Sequence, residues 1–255
     1  MEKVQHNHVQ AKELKLHVTQ IGTSPKVVVF LHGFPEIWYS WRHQMIAVDN
    51  AGYRAISIDS AMVGKLHPHR VSTIVLLGAQ LPLILPSFYM LRWMVPGRAE
   101  ADFGRFDTKI VMRKVYTMFS GSLPLVAVDD QEILDLVDSS APLPPWLSEE
   151  DLPEYGSLYE KSGFRTALQV PYRTMMQSCR LDDGKIRVPG LVIMVEQDYI
   201  MKFTGLEDYI RTGEVKEFAP NLDVTFLAQG NHFVQEQLPE EMNHLIISFL
   251  IKHCK

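Results

Sequence analysis

Cysteine is scarce in this chain: Cys179 and Cys254 are the only two among 255 residues. Two thiols exclude a disulfide framework and suit a reducing compartment, so a cytoplasmic location is expected. No basic block or arm is present. The net charge of −5, from 25 Lys and Arg against 30 Asp and Glu, argues against nucleic acid as a partner. The N-terminal stretch MEKVQHNHVQAKELK lacks an apolar signal core, so secretion is not expected. The chain has neither an internal repeat nor a low-complexity tract. One long apolar run, TIVLLGAQLPLILPSFYML over 73–91, is broken by Pro82 and Pro86, holds Gln80, and is followed closely by Arg92 and Arg98. It reads as a buried strand entering a Pro-rich loop, and no membrane span is expected. With 46 % hydrophobic and 22 % charged residues, what remains is the composition of one large globular α/β domain.

Strand and helix signals alternate. Residues 14–21, LKLHVTQI, alternate apolar and polar and predict an edge hairpin strand. Val27 to Leu31 are continuously apolar and β-branched, as in a buried parallel strand. Residues 37–50 are amphipathic, with Gly52 closing a helix. Further strands are predicted over 53–58, 72–77, 188–195 and 223–227, and a final helix over 239–252. This pattern implies a mostly parallel sheet covered by helices on both faces. Residues 81–182 differ: helical patterns such as KIVMRKVYTMF, QEILDLVD and SEEDLPEYGSLYEKSG recur without a convincing strand, punctuated by APLPPW at 141–146. Glu149, Glu150 and Asp151 are expected to begin a helix after Ser148, favoured by the helix dipole. An all-helical insertion between strands has the character of a lid. The expected division is therefore a discontinuous core of 1–80 and 183–255, with a helical cap over 81–182.

The ends of the strands carry the polar candidates. His232 follows Gly-Asn at the tip of the strand DVTFL, and Asp198 follows LVIMVEQ. A histidine and a carboxylate at neighbouring strand ends form the pair a general base requires; each alone is an ordinary loop residue. Gly-x-Ser/Asp/Cys-x-Gly, the strand-to-helix turn that presents a nucleophile in such folds, is absent. Asp59 ends one strand and Ser72 begins the next, with 12 residues between them. A parallel crossover needs about a dozen residues or more, so a further strand, a nucleophile turn and a helix do not fit. His67-Pro-His69 lacks a third ligand nearby and reads as a surface turn. No cofactor or metal is implied.

Longer segments carry a resemblance: HGFPEIWYSWRHQM at 32–45, GYRAISID at 52–59, HPHRVSTIVLLG at 67–78, PGRAEADFGRF at 96–106, PPWLSEEDL at 144–152, YEKSGFRTALQVPYR at 159–173 and GNHFVQEQLPEEMN at 230–243. Together they resemble the plant-type soluble epoxide hydrolases of the α/β-hydrolase superfamily over nearly the whole chain. The resemblance implies an α/β-hydrolase fold with a mostly parallel sheet and a helical cap, but with the central nucleophile strand missing. Intact members open lipophilic epoxides to vicinal diols through an Asp nucleophile, two cap tyrosines that hold the epoxide oxygen, and a His–acid pair that activates water. Carried over residue by residue, His232 matches the base, Asp198 its orienting acid, and Tyr89 and Tyr172 the cap tyrosines. Phe34, after His32 and Gly33, matches the oxyanion position. The nucleophile does not carry over, and the break falls between Ser60 and Leu66. Asp59 is a weak substitute, since it would lie on the far side of the HGFP strand from His232. If the sheet closes over the break, that strand pairs directly with 72–77. The expected function is an epoxide hydrolase family member of low or no activity. The alternatives are a non-catalytic binding protein for a small apolar ligand, and a non-functional product of an alternative transcript. The oligomeric state has no signature in the sequence.

Overall fold

The computed structural model describes residues 3–11, 14–58, 71–77, 88–121, 126–173 and 185–254. Asp59, the Ser60–Leu66 break, His67, His69, Gln80, Pro82 and Pro86 lie outside the described residues.

Four strands form a first sheet in the order β1–β2–β4–β3: β1 (Gln5–Ala11), β2 (Leu14–Ile21), β3 (Val27–Leu31) and β4 (Arg54–Ile58). β1 pairs antiparallel with β2, β2 antiparallel with β4, and β4 parallel with β3. Residues 14–21 are thus an inner strand rather than the expected edge. The edge is β1, whose sequence QHNHVQA carries little apolar signal; pairing with β2 along seven register positions holds it in place. A second sheet has the order β5–β6–β7, all parallel: β5 (Ile74–Leu77), β6 (Gly190–Val195) and β7 (Leu222–Leu227).

The expected direct pairing of the HGFP strand with 72–77 does not occur: β3 and β5 belong to different sheets. Each is hydrogen-bonded on one side only, among the described residues. Their sequences, VVVFL and IVLL, are those of fully covered parallel strands. Val27, Val29 and Leu76 nevertheless remain 41 %, 45 % and 41 % exposed, whereas every residue of β6 is buried.

Helices hold the two sheets in one body. α1 (Arg42–Asn50) follows a 3-10 turn at Trp38–Trp41, and α8 (Pro239–His253) ends the chain. Between them, Trp41, Met45 and Val48 join Met242, Ile246, Phe249 and Leu250 in a core that takes in Phe30 and Ala55 from the first sheet and Leu191 and Ile193 from the second. The pleat of β6 feeds two cores: Leu191, Ile193 and Val195 face this one, and Val192 and Met194 face a second, larger aromatic core.

The aromatic core is built with the helical residues 88–173, α2 (Tyr89–Met94), α3 (Arg98–Phe103), α4 (Thr108–Phe119) and α5 (Leu152–Ser162), and with α6 (Leu206–Arg211) after β6. α5 starts later than the acidic run predicts. Asp151 is its N-cap residue, and the Asp151 side chain accepts from the backbone N–H and hydroxyl of Ser148 in the preceding turn, at 3.1 and 2.8 Å. Asp107 caps α4 by accepting from the Ile110 N–H at 2.9 Å. No helix among the described residues is long and apolar enough to cross a membrane.

Candidate active site

The C-terminal ends of β3, β6 and β7 open onto the aromatic core, where the candidate residues meet. Asp198 follows β6 by three residues. Its backbone N–H donates to Val195 O at 3.1 Å, and its carboxylate accepts from the Ile200 N–H at 3.2 Å, so the side chain is fixed by its own turn. β7 leads through Gly230, at φ +92°, to Asn231 and His232. A Cβ at Gly230 would meet the side chains of Val234 and Gln237 at 3.2 Å, so that turn requires glycine. The Asn231 N–H donates to Gln237 Oε1 at 2.6 Å, and its side-chain amide donates to Ser120 O at 2.7 Å, tying the His232 turn to the end of α4.

These two turns place His232 Nδ1 3.1 Å from Asp198 Oδ2 and 3.3 Å from Oδ1. The Asp198 side chain is 4 % exposed and His232 is 22 % exposed. A carboxylate beside Nδ1 fixes the tautomer with its proton there and leaves Nε2 as the basic nitrogen. Burial works against the imidazolium, but the charge and hydrogen bond of Asp198, joined by the charge of Glu36, outweigh it and raise the His232 pKa above its ordinary 6.5.

Tyr89 and Tyr172, 83 residues apart in sequence, are brought together, their rings edge to face at 5.9 Å. Tyr89 opens α2. Tyr172 lies in a π-helical turn at Gln169–Arg173, anchored because Arg173 donates to both carboxylate oxygens of Glu100 on α3 at 2.8 and 2.6 Å. Both tyrosines are buried. Burial, then the neighbouring Tyr89, raises the Tyr172 pKa well above 10, so its hydroxyl keeps its proton as a donor. Phe34 packs edge to face on Tyr172 at 6.0 Å and on Trp93 at 5.5 Å. His32 is turned onto its own loop, with Nδ1 2.9 Å from Gly33 O, and Gly33 is exposed.

The sequence reading missed Tyr199, which follows Asp198 directly. Its hydroxyl lies 2.9 Å from that of Tyr89, and its ring is 4.9 Å from the His232 imidazole. Tyr199 therefore links the base to the tyrosine pair. It missed Glu36 as well, whose carboxylate accepts from the Gln235 amide and whose pKa is raised by burial against the opposing charges of His32 and His232.

A second missed cluster joins α5 to the core. Arg42 donates to both oxygens of Glu236 at 2.7 and 2.6 Å, and the Tyr155 hydroxyl donates to the same carboxylate. Arg42 also lies 3.7 Å from Asp151, which accepts from the Tyr39 hydroxyl at 3.1 Å. Glu236 sits in the short helix α7 (Val234–Gln237), four residues after His232. Burial raises its pKa to about 7, against the opposing pull of Arg42.

Among the described residues, no group of three His, Cys, Asp or Glu side chains is arranged to hold a metal ion.

Helices packed on two sheets, the second of them all parallel, with an Asp–His pair at adjacent strand ends, define an α/β-hydrolase fold. No family model matches the chain. It is similar to Epoxide hydrolase 1 of Siraitia grosvenorii, 28 % identical over 316 residues, covering 98 % of this chain and 99 % of that protein. It is also similar to Epoxide hydrolase 3 of the same plant, 29 % identical over 320 residues, covering 99 % of this chain and 100 % of that protein. The crystal structure of a Vigna radiata epoxide hydrolase is 27 % identical and superimposes with a TM-score of 0.86, covering 99 % of both chains. The chain's likeness to epoxide hydrolases extends over nearly its whole length.

Proposed function

We propose that this member of the family retains the ligand-holding and base functions but has low or no turnover. Residues 81–182 serve as the cap over a core of 1–80 and 183–255. Tyr89 and Tyr172 donate to the oxygen of a small lipophilic epoxide, and His232, oriented by Asp198, takes a proton from water. Phe34, with His32 and Gly33 beside it, borders the oxyanion position. The observation that carries this reading is the juxtaposition of the His232–Asp198 pair with the Tyr89–Tyr172 pair across Tyr199. A cytoplasmic location accords with the free thiol of Cys254.

The alignment with relatives runs over 316 to 320 residues against a chain of 255, which supports loss of about sixty residues; the proposal puts that loss between Ser60 and Leu66, where the nucleophile would sit. Where catalytic residues act as a unit, losing the nucleophile costs on the order of 10⁶ in turnover, or roughly 8 kcal/mol of transition-state stabilisation. What remains is direct attack by water: the water oxygen bonds to an epoxide carbon, the C–O bond breaks, His232 accepts the water proton and a tyrosine protonates the alkoxide. The companion reading is a binder of a small apolar ligand without turnover, supported by the aromatic rings of Phe34, Tyr89 and Tyr172 packed together.

Incubation of the purified chain with styrene oxide, with diol measured beside a His232→Gln variant, tests the reading. The expected result is diol no higher than in the variant, together with saturable epoxide binding that weakens in Tyr172→Phe. Diol formation at a rate typical of intact enzymes and lost in His232→Gln would refute it, and Asp59→Asn would then be the next variant.

A further inference from the structure

Three histidines share one face of the β1–β2 hairpin and take no part in the site at the strand ends. His6 and His8 stand two residues apart on β1, so their side chains leave the same face. The register sets His8 directly opposite His17 of β2, with His6 on the diagonal from it. His6 Nδ1 lies 3.1 Å from His17 Nε2, and the two rings stack with centroids 5.3 Å apart and planes 22° apart. The His8 ring is 5.4 Å from that of His17. Trp38, itself buried, packs edge to face on the His6 ring at 5.0 Å. One position along the ladder, the Gln20 side-chain amide donates to Gln5 Oε1 at 3.0 Å and holds the strands together beside the pair.

Two neutral imidazoles in contact share one proton in an N–H···N hydrogen bond. Their separation also suits two ligands of one metal ion. Nitrogens about 2.0–2.1 Å from a metal, at an angle of about 90–109°, stand about 2.8–3.4 Å apart. Burial, then the charge of His17, lowers the His6 pKa below its ordinary 6.5, against the pull of Glu154 on α5. At neutral pH His6 is therefore unprotonated and has a lone pair to give. The negative charge of Glu154 favours a cation at this place. The Trp38 contact restrains the His6 ring before any ion arrives, which lowers the entropic cost of binding.

We propose that His6 Nδ1 and His17 Nε2 form a surface site for one divalent transition-metal ion of the kind that favours imidazole, with water in its remaining positions. Copper(II) binds it more tightly than zinc(II), following the general order at nitrogen sites. A site with two protein ligands accords with the absence of a three-residue metal group among the described residues. Each ligand ring keeps its proton on the other nitrogen, Nε2 of His6 and Nδ1 of His17. The ion takes the place of the proton shared between the rings. It therefore ties β1, the outer strand of the first sheet, to β2. The inference does not rest on turnover at the His232 site.

The test is a titration of the purified 255-residue chain with copper(II), followed by tryptophan fluorescence. Bound copper quenches a nearby indole, and Trp38 lies against His6. The expected result is saturable quenching at one copper per chain in the micromolar range. The electron paramagnetic resonance spectrum of that complex should show coupling to two imidazole nitrogens. His6→Gln and His17→Gln should each weaken binding at least tenfold. The double variant His67→Gln/His69→Gln, which removes another closely spaced pair of histidines, should leave it unchanged. Binding that survives either hairpin variant would overturn the inference and point to other ligands, such as the α-amino group. Loss of binding in the His67/His69 variant would overturn it as well, as would a spectrum with fewer than two nitrogens or no saturable quenching at all. If a hairpin variant fails to fold by circular dichroism, the nitrogen count of the unaltered chain, compared with that of the His67/His69 variant, still decides the matter.

Discussion

Glu236 gives the folded chain an unusual dependence on pH. Its side chain is 2 % exposed, and its pKa lies at about 7 instead of the ordinary 4.5. Between these values the folded state keeps a proton that the unfolded state has lost, so stability falls as pH rises from about 4.5 to about 7 and is flat outside that window. At about 1.4 kcal/mol per tenfold change in proton affinity, the window is worth about 3 kcal/mol, a large part of a typical domain's stability. Replacing the carboxyl with an amide of the same shape removes this slope. Urea unfolding followed by tryptophan fluorescence at pH 5, 6, 7 and 8, for the native chain and Glu236→Gln, measures it. The difference between the two chains cancels titrations that they share, including the raised His232 and the lowered His6 and His43. The native chain should lose about 3 kcal/mol relative to the variant between pH 5 and pH 8. Parallel pH profiles would refute the reasoning, because they would mean that Arg42 keeps Glu236 ionised throughout.

Arg42→Met strips the buried carboxylate of its cation and should destabilise the fold by about 3–5 kcal/mol, read from the urea midpoint at pH 8. Asp198→Asn removes the charge that raises the His232 pKa, so NMR titration of the imidazole should show the pKa moving down; an unmoved pKa would mean that Asp198 does not govern the base. Gly230→Ala places a Cβ at φ +92° against Val234 and Gln237 and should cost about 1–3 kcal/mol, measured by thermal unfolding.

The strand ends carrying Asp198 and His232 were legible because the first follows the unbroken apolar run LVIMV, and the second follows the β-branched stretch VTFL with the turn residues Gly230 and Asn231 behind it. The Tyr89–Tyr172 pair was legible only through resemblance: nothing in YMLRWM or VPYRT distinguishes a site tyrosine from a core aromatic. Tyr199 sits in YIMK, which reads as an apolar turn; only its place directly after Asp198 marks it. Glu36 and Glu236 look like surface charges in PEIW and VQEQ; in the fold Glu36 is half-buried and Glu236 buried, with Tyr159 and Tyr155 of α5 packed over them. β1 was hidden because an edge strand needs no apolar alternation once a partner supplies the ladder. The division of the sheet was not readable either. Whether β3 meets β5 depends on how α1 and α8 pack against both halves, and those contacts join residues some 200 positions apart.

That division sets an order of assembly during synthesis. The first sheet needs only the residues up to Ile58, all of them local partners. The second cannot close until Leu227 has been made, some 170 residues later, which is about 10–30 s at ordinary elongation rates. Through that interval the nascent chain carries a finished sheet whose β3 edge has nothing beside it. A continuous sheet would eventually cover that edge from within, but here, among the described residues, completing the chain leaves it unpaired.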